Sequence, residues 1–287
     1  MGATAKKKPA TPPRKSVRTK SASKKRSQHR ARPKLIDDPF SVEHMVGHRD
    51  LDLLQHGILT VAAYPHFFPV CYEKNGKVKG SDVDIIKRFA KLARVKVQFI
   101  ICNTFDGIWN YPAHDKADLS IGGIANSKGR THKRVEWSLP YFYVHRSLLF
   151  NKKHPVSNFP DDITDTVLGT KGSTGWIDAE KRLRKNRKQK YLKPGTSDAE
   201  DIQFLLDGKI QGIMRGDFVS RAFIHDHPKE LSVITWNAFS ELLAKDGEVF
   251  AFPCRRASGV AAMLSAFLAH LIDTGDIDTL VKKYNLK

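Results

Sequence analysis

Residues 81–101 read SDVDIIKRFAKLARVKVQFII, and this stretch decides the fold. Val83, Ile86, Phe89, Ala90 and Ala93 recur at three- and four-residue spacing, which predicts a helix with one apolar stripe. The opening Ser81-Asp82-Val83-Asp84 fits a capping box, in which side-chain oxygens accept from free N–H groups of the first turn. Val95–Ile101 then predicts the next strand. Working outward, Leu59–Ala63 (LTVAA) is a second apolar strand, closed by the loop Tyr64–Pro69. Asp118–Gly123 (DLSIGG) is a short strand ending in glycines. A brief amphipathic helix is expected over Asp50–His56, ended by Gly57. Strand, helix and strand in alternation imply a parallel sheet with helices on its faces.

A second series begins at Thr166. Thr166–Thr170 is a strand, Gly172–Gly175 a loop, and Trp176–Lys190 a polar helix. The helix Asp198–Asp207 and the strand Ile210–Arg215 follow. The long extended stretch Tyr141–Asn151 joins the two series, and Glu248–Cys254 leads back. Two helices close the chain. Val260, Leu264, Phe267 and Leu271 share one face of the first, and the second spans Asp276–Tyr284. The expected division is a tail over 1–49, one lobe from 50–146 and 249–287, and a second lobe from 147–248. In open α/β sheets, ligands bind beyond the carboxyl ends of the strands. The loops at Tyr64–Phe68, Asn103–Trp109, Gly122–Arg130, Thr170–Thr174 and Arg215–Val219 therefore line the cleft between the lobes.

Charge is unevenly placed. The 287 residues hold 49 Lys+Arg against 30 Asp+Glu, a formal net charge of +19. Residues 1–35 contain 13 of those cations and no acid, so beyond them 36 basic residues face 30 acidic ones. That tail has no aromatic residue and is expected to be disordered. Its cations suit a nucleic acid or other polyanion, and they resemble a nuclear-import signal. No apolar segment follows the positive start, so no secretory leader is expected and the compartment stays open. The longest apolar-rich stretch, Val260–Ile272, is short of the ~20 residues a bilayer requires. Three separated cysteines make neither a disulfide framework nor a zinc cluster.

Five segments in order carry a family resemblance: GILTVAAYPHFFP, GSDVDIIKRFAKLARVKVQFI, KADLSIGGIANSKGRTHKRVEWSLPYF, VLGTKGSTG and DTGDIDTLVKKYNL. The chain from about Gly57 onward resembles the bacterial family-3 extracellular solute-binding proteins, amino-acid receptors of the type 2 periplasmic-binding fold. The cyclohexadienyl dehydratases share that pattern. The resemblance implies an α/β two-lobe type 2 periplasmic-binding fold, no cofactor, a monomer, and a membrane transporter as partner, while the disordered basic tail read from composition has no counterpart in the family's usual secretory leader.

It also implies a ligand site. Arg130 corresponds to the arginine that clamps the ligand carboxylate, and a guanidinium fork suits that group. Ser127 matches a neighbouring Ser/Thr position, and Ala125 replaces a residue that is often Ser or Thr. Gly122 and Gly123 permit close backbone approach. Ser173 and Thr174 match the second-lobe carboxylate contact at a helix N-terminus, where free N–H groups favour an anion. Phe67 and Phe105 match the pair that sandwiches the ligand. Tyr64 occupies a slot where many receptors carry Asp. The acid that usually takes the ammonium aligns with Gly216, one position before Asp217. A bulge at Gly216 would bring Asp217 into that role. The first functional expectation is a binder that closes on a small carboxylate, an amino acid. The second is a prephenate or arogenate dehydratase, whose expected Glu is absent from Asp217–Ser220. The third is a polyanion-associated protein acting through its tail.

Overall fold

A computed structural model describes residues 51–243 and 247–286. The tail expected over 1–49 lies outside these residues. The first lobe is built on a five-stranded sheet in the order Lys96–Ile101, Ile58–Ala63, Leu119–Ile121, Pro253–Arg255, Val135–Trp137. The first three strands are parallel, and Pro253–Arg255 runs antiparallel to both its neighbours. Ile58–Ala63 is central and buried from Leu59 onward, as a continuous apolar run between two neighbours should be. The helix Ser81–Leu92 crosses over from the first strand to Lys96–Ile101. It buries Val83, Ile85, Ile86, Phe89 and Ala90, most of the stripe read from the spacing.

The second lobe holds the sheet Leu192–Pro194, Val167–Gly169, Gly212–Gly216, Arg146–Asn151, Leu231–Trp236. Arg146–Asn151 is antiparallel to both Gly212–Gly216 and Leu231–Trp236. The helices Thr174–Lys185, Asp198–Leu206 and Asp217–Asp226 complete this lobe. The chain passes between lobes at Phe142–Tyr143 and Val249–Phe250. These two strands pair antiparallel with each other, and Val249–Phe250 also pairs with Ala125–Asn126. The crossings are thus a hydrogen-bonded ribbon rather than two free linkers. At the C-terminus, Val260, Leu264, Phe267 and Leu271 are all buried on the helix Val260–Asp273, which the helix Asp276–Lys283 follows.

Two local expectations fail. The segment after Leu51 forms no helix before Gly57. It is too short to nucleate one alone, and its amides find tertiary partners. Asp52 donates to the Ser258 carbonyl (3.0 Å), and Leu54 to Asp118 Oδ1 (2.9 Å). The capping box does not form either. Gly80 is the N-cap, at φ 128°, and no side chain caps the helix. A Cβ at Gly80 would fall 2.1 Å from the Val70 carbonyl oxygen, so only glycine passes there. Asp82 turns into the interior instead, and Ser81 Oγ is buried without a partner.

Cys71, Cys102 and Cys254 are free and buried, and burial raises all three thiol pKa values. Because the thiolate is the reactive form, a disulfide reagent at pH 8 is expected to modify none of them quickly in the native protein. All three should react once the chain is unfolded. A fast native reaction would contradict this placement.

Candidate functional site

The loops after the parallel strands of both sheets converge on one crevice, against the crossing ribbon. Its cavity is about 40 Å³, little more than the ~30 Å³ share of one water in the liquid. Past Tyr64, Phe105, Thr170 and Arg215 the crevice continues into an outer cleft of about 510 Å³, which Asp106, Asp198 and Asp201 also line. Phe67, Phe105, Gly123 and Arg130 line it from the first lobe. Thr170, Ser173, Thr174 and Arg215 line it from the second, with Val144, Arg146 and Phe250 from the crossings and the strand that follows them.

Arg130 sits at the end of a tight turn closed by its own N–H on the Ser127 carbonyl (2.9 Å). Its side chain then spans the crevice. Nη1 donates to the Ala125 carbonyl (3.0 Å) and Nη2 to the Gly172 carbonyl in the other lobe (2.9 Å). The guanidinium lies 5.3 Å from the Phe105 ring centroid, within cation–π range. The residue is only 5% exposed. Burial lowers its pKa to about 10, with Asp106 opposing the shift, so it stays cationic at neutral pH. Ala125 and Ser127 serve through their carbonyls and do not themselves line the cavity.

Gly123 meets the cavity because nothing larger fits. A Cβ there would lie 2.3 Å from Phe67 Cε1, and its φ is +65°. The loop is held from behind by Asp82, whose Oδ2 accepts the N–H groups of Gly122 (3.0 Å) and Gly123 (2.9 Å). Tyr141 donates its hydroxyl to Asp82 Oδ1 at 2.7 Å. Desolvation still raises the Asp82 pKa to about 6, against these three bonds. Across the crevice, Ser173 is the N-cap of the helix Thr174–Lys185, its Oγ accepting from the Trp176 N–H (3.0 Å). The capping role and the place on the cavity wall coincide in one residue. Thr174 donates its hydroxyl to Glu248 Oε1 (3.3 Å).

Two further arginines line the cavity that the family pattern did not supply. Arg146, 4% exposed, forms a close ion pair with Glu248. Burial lowers its pKa to about 9, opposed by Asp178 and reinforced by Arg130 and Arg182. Arg215 pairs with Asp198 (2.6 Å) and Asp201 (3.3 Å) and donates to Thr170 Oγ1 (3.0 Å). The sequence did hold a signal for Arg146. It is a lone cation in the apolar run Tyr141–Asn151, and a buried charge needs a partner. That partner, Glu248, is about a hundred residues away, so no local pattern points to it.

Asp217 is not on the cavity wall. The strand runs to Gly216 in regular register with Arg146, without the bulge considered above, and Asp217 opens the next helix. Its Oδ1 accepts the His145 N–H (2.9 Å), and Oδ2 lies 3.8 Å from Arg221. Gly216 does line the cavity, but a Cβ there would stand 2.7 Å from Val144 Cγ1. Restoring the acid as Gly216→Asp should therefore destabilise the fold by about 1–3 kcal/mol through overpacking. Val144→Ala in the same chain should recover most of that in urea melts; no recovery would place the strain elsewhere. Trp176 packs against the second-lobe core, Trp109 against the first-lobe cluster that includes Tyr64 and Phe105, and His132 faces His114 outside the cavity.

Residues 59–287 match the family model of bacterial extracellular solute-binding proteins, family 3. A protein of Campylobacter jejuni named "Probable histidine-binding protein" is 22% identical over 233 residues, covering 80% of this chain and 85% of its own. A protein of the same name from Neisseria gonorrhoeae is 22% identical over 238 residues, covering 80% and 84%. Among solved structures, an ancestral arginine-binding protein bound to arginine superposes with a TM-score of 0.66. It is 24% identical and covers 80% of this chain and 98% of its own. ArtJ of Geobacillus stearothermophilus, an arginine-, lysine-, histidine-binding protein, gives 0.63 at 23% identity, covering 79% and 94%. The fold is thus the two-lobe periplasmic-binding architecture, and with the family model spanning nearly all of the described residues, the chain belongs to the bacterial extracellular solute-binding proteins, family 3.

Proposed function

We propose that this protein closes its two lobes on a small carboxylate solute, an amino acid, and presents it to a membrane transporter. One observation carries the reading: a buried guanidinium, Arg130, stands in the inter-lobe crevice with its two hydrogen bonds on backbone carbonyls. A carboxylate is the stronger acceptor for that fork. On binding, the solute takes the guanidinium from the Gly172 carbonyl, and the N-terminal turn at Ser173–Thr174 supplies N–H groups to the same anion. Phe67 and Phe105 flank its carbon skeleton. The ribbon at Phe142–Tyr143 and Val249–Phe250 is the place for a hinge. The amino-acid ligands in the names of the relatives support the solute class, and membership of the solute-binding family supports a transporter partner.

Dehydration of prephenate or arogenate is less well supported. It needs a general acid near the departing hydroxyl; the inner cavity wall has no Asp, Glu, His or Cys, and of the acids lining the adjoining cleft Asp198 and Asp201 are both paired with Arg215. Tyr64 lines it, but burial raises that phenol above its usual pKa. Titration calorimetry against the common amino acids, starting with L-histidine and L-arginine, should find at least one tight solute. Neither prephenate nor arogenate should yield an aromatic product. Steady turnover would replace the binding reading with an enzymatic one, and no heat from any carboxylate would remove it.

A further inference from the structure

Resting on the solute-binding reading, we propose that Arg215 is a solute contact and that Asp198 is the positioning residue that couples this contact to lobe closure. Arg215 reaches the cavity wall from the end of the strand Gly212–Gly216, with its side chain 4% exposed. Its Nη1 donates to Thr170 Oγ1 and its Nη2 to Asp198 Oδ1. Its Nε, by contrast, is buried and has no hydrogen-bond partner. A guanidinium has five N–H donors, and a buried one left unmade is costly. That Nε is shut off from solvent in this closed form, so an acceptor on the solute, beyond the carboxylate held by Arg130, reaches it as the lobes part.

Asp198 is the first residue of the helix Asp198–Leu206, in the second lobe. One of its oxygens holds Arg215 at 2.6 Å. The other accepts the Phe68 N–H of the first lobe, also at 2.6 Å. Phe68 follows the cavity residue Phe67, and its ring contacts Phe223 of the second lobe, centroids 5.6 Å apart. A single carboxylate therefore joins the cavity arginine to the opposite lobe. Fixing Arg215 with a solute fixes the oxygen that bonds Phe68, and the lobes are held together beside the solute as well as at Arg130. Asp201 does a different job. It is tied to the Thr196 N–H and hydroxyl and keeps its own contact with Arg215. Replacing Asp198 thus leaves Arg215 with a counter-charge, and the variant should fold.

The test places donor and acceptor dyes on Lys77→Cys and Lys229→Cys, both exposed and in different lobes. The three native cysteines are buried and stay unlabelled. In solute-free full-length protein, Asp198→Ala should move the dye distribution toward wider separation. Asp198→Asn should fall between wild type and Asp198→Ala, because its amide oxygen still accepts from Phe68 while its NH2 group then faces the Arg215 donor. With L-histidine and L-arginine as probes, Asp198→Ala should release a bound probe about tenfold faster. Arg215→Lys, which keeps the charge and loses the Nε donor, should weaken binding by about tenfold without changing lobe spacing in the free protein. Identical dye distributions for wild type and Asp198→Ala would overturn the positioning role. Unchanged affinity in Arg215→Lys for a probe that binds wild type would overturn the contact while leaving the solute-binding reading intact. Absence of binding by both probes would count against the contact and that reading together, and the dye measurement would still decide Asp198.

Discussion

Arg130→Ala is expected to lower solute affinity by at least about a hundredfold. Removing one side of a buried charge contact costs roughly 2–5 kcal/mol, which corresponds to ~30- to several-thousandfold in affinity. The upper part of that range is expected because the guanidinium is buried and already held in place before the solute arrives, with only its Gly172 bond to give up. It donates to Ala125, it donates across the gap to Gly172, and it lies over the Phe105 ring. The fold itself should survive. The two carbonyls it releases border a cavity that water can fill, and the hydrogen bonds of those carbonyls can be remade there. Arg130→Lys separates charge from geometry. An ammonium keeps the attraction but loses the parallel fork, so a loss smaller than that of the Ala variant is expected. Calorimetry on both variants, with circular dichroism to confirm the fold, gives the answer. Affinity within threefold of wild type for Arg130→Ala would mean that the carboxylate sits elsewhere.

Much of the architecture was readable because its signals are local. The stripe from Val83 to Ala90, the apolar run Leu59–Ala63 and the half-exposed edge strand Lys96–Ile101 each follow from a local sequence pattern. Their alternation then leaves few topologies. Arg130 and Ser173 were readable for a related reason. Each follows a strand end by a short loop, and strand ends are where such folds place ligands. Asp82 was misread because a capping box and a buried loop clamp begin with the same Ser-Asp pattern. What separates them is the pair of N–H groups at Gly122 and Gly123, forty residues downstream. Asp50–His56 was misread because a short apolar pattern does not show which tertiary partners compete for its amides. The salt-bridged arginines were beyond local reading for the same reason. Arg146 finds Glu248 only when the crossing strands pair, and Arg215 finds Asp198 only when the second-lobe helix docks. The ammonium contact depended on one residue of register. Regular pairing at Gly216 sends Asp217 into the next helix.

Asp82 should make this protein less stable as the pH rises from 4 to 6. Its folded pKa is about 6, above the ordinary value of 3.8, with burial the first cause. Between those two values the folded chain binds a proton that the unfolded chain has released. Stability therefore falls with rising pH through that window and levels off above it. The contribution present below pH 4 and lost above pH 6 is on the order of 3 kcal/mol, at 1.36 kcal/mol per unit of pKa. Asp82→Asn removes the titration and keeps an oxygen for the Gly122 and Gly123 amides, while Tyr141 turns its hydroxyl to accept from the new NH2 group. Its urea midpoint should match wild type near pH 4 and exceed it at pH 7.5. Other carboxylates add their own slopes to both proteins, so the difference between the two curves isolates this one group. Asp82→Ala is the opposite case. It leaves two buried N–H groups and the Tyr141 hydroxyl without their acceptor, at roughly 1–3 kcal/mol each, and should destabilise at every pH. It should also weaken solute binding, since Gly123 on the cavity wall is held by that carboxylate. A gap between wild type and Asp82→Asn that stays constant from pH 4 to 7.5 would show that Asp82 keeps one protonation state throughout, and that its three hydrogen bonds outweigh the cost of burying its charge.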